Sequence, residues 1–237
     1  MAVIIVAPNT VINSNTFYVG DTLDMTNGNF VVTNNASLSF TNCIINGTLS
    51  ALNPTLINIL NGHLFMTGST VEVKAPSVIP HPMEQSLYYF AKLERGNCII
   101  LGSDFKMDNI FAAGFFLATI DNASNNLNFT NNRFTGWHGV LYLLNTNNSI
   151  IDNNRFLLCS YGNILVQGSR NIIRRNVILL SGRDELGNAI DVLFSDNCTI
   201  TENNIAVPTC RGILVGASSN ILIDHNLVTG GITYGIR

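Results

Sequence analysis

The side chains able to do chemistry are few, and they gather in one stretch. Trp137 and His138 are adjacent, and Tyr142 follows. Then come Tyr161, the run Arg183-Asp184-Glu185, Asp191 and Arg211. An acid, a base, a cation and aromatic faces are what work on a uronic-acid polymer requires. The sugar carboxylate must be neutralised, the proton on the carbon beside it removed, and an acid supplied to the glycosidic oxygen or to the opposite face. Arg211 or Arg183 can neutralise the carboxylate. His138 or Tyr161 can act as base and Tyr142 as acid, while Asp191 can orient the base or help hold a metal. Hydrolysis would instead take two carboxylates about 5.5 Å or about 6.5–9.5 Å apart. Asp191 with Asp184 or Glu185 is the pair available for that. Trp137 either stacks on the apolar face of a sugar ring or seals a turn. Without turnover, the same set reads as a sugar-contact surface.

Composition narrows the partners. Charged residues make up 11% of the 237 and hydrophobic residues 46%, with a net charge of −3. Ordinary globular proteins carry roughly 25% charged residues, so here another polar group must cover the surface. Asparagine fills that role, with 34 copies, and an amide surface suits hydrated neutral partners. The one tight basic cluster is Arg170, Arg174 and Arg175, read as a solvated face. It is too small for the basic stripe of a nucleic-acid binder. No run of about 18 apolar residues is present, so no membrane span is expected. The five cysteines show no paired spacing and are expected as buried free thiols. His63, His81 and His225 do not cluster with other ligands, so no metal is assigned.

These residues sit on a repeat. The segments Asn126–Phe134, Asn148–Phe156, Asn171–Ile178, Asn197–Ile205 and Asn220–Val228 share one pattern: Asn, a short apolar strand, a second Asn, another apolar strand. The second Asn falls at 132, 154, 176, 203 and 226, in steps of 22, 22, 27 and 23. A third strand precedes each unit, often introduced by Gly: Gly139–Leu144, Gly162–Val166, Asn188–Val192, Gly212–Val215. Fainter copies lie at Leu38–Ile44, Leu64–Val71 and Asn97–Phe105, with Asn42, Ser69 and Ser103 at the second turn.

Three strands of three to five residues, each rising about 3.3 Å per residue, close a triangular loop, and loops stack about 4.8 Å apart. Asn suits the corners because it tolerates the left-handed backbone region and its amide can bond the same group one rung above. The expected fold is therefore all-β: a right-handed parallel β-helix, or solenoid, of about nine coils of about 22–29 residues, with three parallel sheets and an asparagine ladder.

The repeat resembles the pectate-lyase-like parallel β-helix superfamily. The Gly-Ile-x-Val and Asn-x-x-Ile-x-x-Asn-x-Ile style is that of uronate epimerases, alginate lyases and copper-site maturation proteins. It covers residues 124–237 well and 28–123 loosely. The resemblance implies an active groove along the first sheet, flanked by the third turn. The outward row of that sheet would then be Tyr142, Leu165, Asp191, Leu214 and Arg237. The third turn would add Trp137, His138, Tyr161, Arg183, Asp184, Glu185, Arg211 and Tyr234. The sequence lacks the Tyr-Gly-Phe-Asp-Pro-His segment of the epimerases and the Gly-His-Gly of polygalacturonases, which leaves catalysis open.

The expected organisation is one domain over 1–237. Residues 1–35 form an N-terminal cap and first coil, 75–95 make a loop excursion, and the C-terminal coil is uncapped or truncated. A further chain or a second copy is expected over that end, because open strand edges invite pairing. The expected function is binding, or lyase, epimerase or hydrolase action, on an extended acidic polysaccharide. The alternative is a non-catalytic adhesion, tail-fibre-like or structural rod. No cofactor is expected; calcium can serve such a groove but has no motif here. The location is extracellular or on a cell or virion surface, with no signal peptide visible.

Overall fold

The computed structural model describes residues 2–75, 88–108, 115–123, 125–159, 163–180, 188–207, 211–230 and 235–236. Every strand pairing among them is parallel, and the strands fall into three sheets wound as a right-handed β-helix. The first sheet runs from Thr10–Ile12 to Arg211–Gly216, the second from Thr16–Val19 to Leu222–Asp224, and the third from Val3–Ile5 to Leu227–Gly230. Among the described residues the third sheet has ten strands, a small departure from the nine or so coils expected. No described helix is long and apolar enough to cross a membrane. Of the interval 75–95, residues 76–87 lie outside the described residues. Residues 89–95 belong to the strand Tyr89–Leu101, which runs from the first sheet around the corner into the second.

Alternation drives the coil. In the strand Ala36–Thr41 every second side chain is buried, and the same holds in Gly62–Thr67. The inward rows stack like on like: Phe105, Phe134 and Phe156 lie 5.2 Å apart, ring on ring. Offset aromatic stacking of this kind adds to burial.

The second corner, between the second and third sheets, repeats a two-residue device. A residue with positive φ comes first: Asn42, Gly68, Gly102, Asn131, Asn153, Arg175, Glu202 or His225. The residue after it turns its side chain inward and accepts the backbone N–H of the corresponding residue in the preceding coil. The chain of bonds runs from the Cys43 N–H through Ser69, Ser103, Asn132, Asn154, Asn176 and Asn203 to Asn226, each at 2.9–3.1 Å. This is the ladder expected from the Asn column, with one change of register. Cys43, not Asn42, occupies the inner column, because Thr70 pairs with Ile44. The first corner shows a similar slip. Arg170 takes the left-handed position held elsewhere by Asn126, Asn148, Asn197 and Asn220. Asn171 instead turns inward and accepts from the Ser149 N–H at 2.9 Å.

The basic cluster is not simply a solvated face. Asp152, whose side chain is buried, accepts from Arg174 Nε at 3.1 Å and Arg175 Nε at 2.8 Å, and pairs with both guanidinium groups. Arg170 binds Asn148 Oδ1 at 2.7 Å. The Arg175 hydrogen bond, with the second arginine, holds the Asp152 carboxyl below its ordinary value of 3.8. The folded state therefore favours the ionised form. The contribution is fully present above pH 3.8 and is lost as pH falls through the depressed value. Asp152→Asn is expected to cost about 1 kcal/mol at neutral pH, the arginines being half in water. The difference should vanish in strong acid; urea unfolding at the two pH values measures it.

Cys43, Cys98, Cys159 and Cys198 are buried free thiols, as expected, and Cys210 lies outside the described residues. Burial pushes the Cys98 thiol up and the Cys159 thiol up to about 12, so neither is reactive at neutral pH.

Candidate functional site

The first sheet carries the candidate site. Ile164, Val166, Ile190, Val192 and Ile213 are fully buried, so the residues between them face outward, as the alternation required. The register aligns Tyr142, Leu165, Asp191 and Leu214 across four successive rungs, the row expected from the sequence. Arg237 lies outside the described residues. Tyr142, Leu165 and Leu214 are half-buried, whereas Asp191 is only 9% exposed.

Asp191 is set in a polar nest. Asn188, three residues earlier on the same strand, donates its amide to Asp191 Oδ1 at 2.7 Å. Arg211 begins the next strand opposite Asn188 and its charge acts on Asp191. Burial raises the Asp191 carboxyl above its ordinary value, and the Asn188 bond and the Arg211 charge pull it only part of the way back. Asn163 lies one rung earlier, beside Ala189, as the pairing of Ile164 with Ile190 requires. It is fully buried, yet neither side-chain amide atom has a partner. Asn188 Oδ1 and Arg211 Nε are also buried and unpartnered. Buried polar atoms left unpaired are uncommon and costly, and two of these residues, Asn188 and Arg211, act directly on the Asp191 carboxyl.

The other expected residues divide three ways. Tyr142 lies in the row, two rungs from Asp191, about 10 Å by strand spacing. His138 is buried in the turn before Gly139–Leu143. It is two rungs and four residues from Asp191, on the order of 15 Å along the backbone. Trp137 is 0% exposed, and its indole N–H donates to the Phe105 carbonyl at 3.2 Å. It seals the turn and shows no ring face to solvent, so the stacking alternative is corrected. Tyr161, Arg183, Asp184, Glu185 and Tyr234 lie outside the described residues. Sequence reasoning missed Asn163 and Asn188. The visible signal for Asn188 was its place at a strand start where neighbouring repeats carry Gly.

The remaining described histidines are structural. His63 bonds Asn35 Oδ1 at 3.1 Å through Nε2 and accepts the Asn97 N–H at 3.2 Å through Nδ1. His225 is exposed at the second corner and pairs with Asp224 at 2.7 Å. His81 lies outside the described residues. Among the described residues no three His, Cys, Asp or Glu side chains come together as a metal site.

Comparison with known proteins finds the same fold elsewhere. The crystal structure of PfbA, a surface adhesin of Streptococcus pneumoniae, aligns over 97% of this chain and 72% of that chain at 13% identity, with a TM-score of 0.58. A second structure of the same surface protein and adhesin aligns over 99% and 91% at 12% identity, with a TM-score of 0.47. At such identities the likeness is one of fold. No curated protein matches the sequence. The family profile described as periplasmic copper-binding protein (NosD) matches residues 88–237. That description agrees with a location outside the cytoplasm. The match spans more than half of the chain and includes every rung of the Asp191 nest, so the chain belongs to the NosD family.

Proposed function

We propose that the outward face of the first sheet binds an extended, carboxylate-bearing polysaccharide, with the Asp191 nest as its principal contact. One observation carries the reading: the buried Asp191 carboxyl on the outward row is bonded by Asn188 and acted on by Arg211, and Asn188 Oδ1 and Arg211 Nε keep no partner of their own. Sugar hydroxyls would supply both donors and acceptors to such a nest. Arg211 would meet the ligand carboxylate and Asp191 would donate or accept at a hydroxyl. The rungs, about 4.8 Å apart, offer a straight track to a linear polymer. Tyr142 extends the track toward the N-terminus, and His138 lies buried in the turn before its strand. Tyr161, Arg183, Asp184 and Glu185 lie close to the row in sequence. In a lyase or epimerase route Asp191 would orient the base, and in a hydrolase route it would be one of the two carboxylates.

A panel of alginates, pectins and other acidic glycans tests this, with and without calcium, by calorimetry and by the ultraviolet absorbance of new unsaturated uronates. Saturable binding is expected. Arg211→Ala should weaken it about tenfold or more, the loss of a charge-assisted bond. Absence of binding to every acidic glycan would sink the proposal.

Asp191→Asn separates function from stability. The folded state holds the Asp191 proton more tightly than the unfolded chain does. Its contribution is therefore full below the ordinary value of 3.8 and falls away as pH rises through the elevated value. Above the elevated value the buried, ionised carboxyl costs stability. The Asn variant keeps the acceptor for Asn188, so it should melt at or above the wild-type temperature while binding the glycan more weakly. A lower melting temperature would assign Asp191 a structural role.

The family description supplies a second reading, copper binding. The described residues do not fit it, since no ligand cluster forms among them and both His63 nitrogens are engaged. Copper titration of the intact chain distinguishes the two.

A further inference from the structure

We infer that the corner between the third and first sheets, in the N-terminal coils, is a separate binding site for a short neutral oligosaccharide. A cavity of about 560 Å³ opens there, within the roughly 300–1,000 Å³ of small-molecule sites. Three successive turns build it, at 7–9, 26–29 and 50–54, and amides tie them together. The Asn9 N–H donates to Asn29 Oδ1 at 2.6 Å, and Asn29 Nδ2 returns a bond to Asn9 Oδ1 at 3.3 Å. Asn53 Nδ2 donates to the Gly28 carbonyl at 3.0 Å. The walls are thus held before any ligand arrives, which lowers the entropy cost of binding.

Two features point to the ligand. Asn58, on the outward row of the first sheet, is one of the residues lining the cavity, and its Oδ1 lies beneath the surface there without a partner. That oxygen calls for a donor such as a hydroxyl. At the rim, Leu52 is 98% exposed and stands beside Pro8 and Pro54. An amide floor beneath an apolar rim matches a sugar ring, which shows hydroxyls at its edge and C–H groups on its faces. None of the described residues lining the cavity is charged, so a carboxylate or phosphate would meet no counter-charge. The site is distinct from the Asp191 nest. Five rungs separate Asn58 from Asp191, about 24 Å.

The test titrates the intact chain with oligomers of glucose, mannose, galactose and N-acetylglucosamine, followed by calorimetry and by side-chain amide NMR. At least one oligomer should saturate and shift the Asn53 and Asn58 amide signals. Asn58→Leu should weaken that binding about tenfold. Leu52→Ser should weaken it several-fold without moving the melting temperature, since Leu52 packs against nothing. Asp191→Asn and Arg211→Ala should leave it unchanged, so failure at one site is told from failure at the other. The inference is overturned if no neutral oligomer binds at millimolar concentration. It is equally overturned if binding ignores both corner variants or follows Asp191.

Discussion

Replacing Asn154 by Ala is expected to destabilise the protein by about 4 kcal/mol, several bonds being lost at one fully buried point. Asn154 Oδ1 accepts both the Asn132 N–H at 2.9 Å and the Asn132 amide at 3.0 Å. Its own amide donates to the Phe129 carbonyl at 2.8 Å and to Asn176 Oδ1 at 3.0 Å. Ala removes all four interactions, and no water reaches the orphans, because Asn132, Asn154 and Asn176 are buried. Orphaned buried groups cost about 1–3 kcal/mol each, and not additively. Asn154→Asp is the sharper probe. It keeps the acceptor for Asn132 but cannot donate to Phe129, and it sets an anion against the oxygen of Asn176. It should be nearly as damaging at neutral pH as the Ala variant. Urea unfolding reads both, and a loss below about 1 kcal/mol in either would show that the ladder is ornamental to stability.

Gly96→Ala should cost about 3–5 kcal/mol, backbone strain adding to steric overlap. Gly96 sits where the strand Tyr89–Leu101 bends from the first sheet into the second, with φ at 133°. Residues with a side chain scarcely visit that region. A methyl there would lie 1.6 Å from the Gly62 carbonyl oxygen of the adjoining coil. Backbone cannot yield as a side-chain tip does, so the rung itself must shift. Gly102 supplies the control. Its φ is 57° and an added methyl meets nothing within 4 Å. Gly102→Ala should therefore cost only about 1 kcal/mol, the left-handed strain alone. Equal losses for the two variants would refute the clash. The bend also sets the first-sheet rungs between Asn58 and Tyr142. A damaged corner should therefore weaken glycan binding at both sites together.

The rest of the coil links stability to function in the same way. A recognition row only works if its rungs keep register, and two parts of the core hold them. The ladder pins each second corner to the next coil, and the phenylalanine stack fills the volume behind the third sheet. A rigid track costs a long ligand little ordering entropy on the protein's side.

The fold was legible in the amino-acid sequence because its cause is local and periodic. A recurring Asn, a two-residue alternation and short strands between turn residues can only be satisfied together by a coil whose rungs match, and the outward row of Asp191 with Tyr142 followed from that alternation. The register of the corners was not legible to the last residue. Asn42 and Asn171 each look like members of their column. Whether an Asn takes the left-handed turn or the inward ladder place depends on which neighbour pairs across the coil, and chemistry of the residue type permits both. The same limit hid the nest. Nothing local marks Asn163 as buried without a partner, because that is a property of the coils packed around it. Burial also decided Trp137, whose ring is equally able to stack on a sugar or to close a turn. Periodicity determined where each side chain stands along the helix; only the stacking of coils determined how deeply Asp191 is held and which polar atoms, Asn58 Oδ1 among them, are left without a partner.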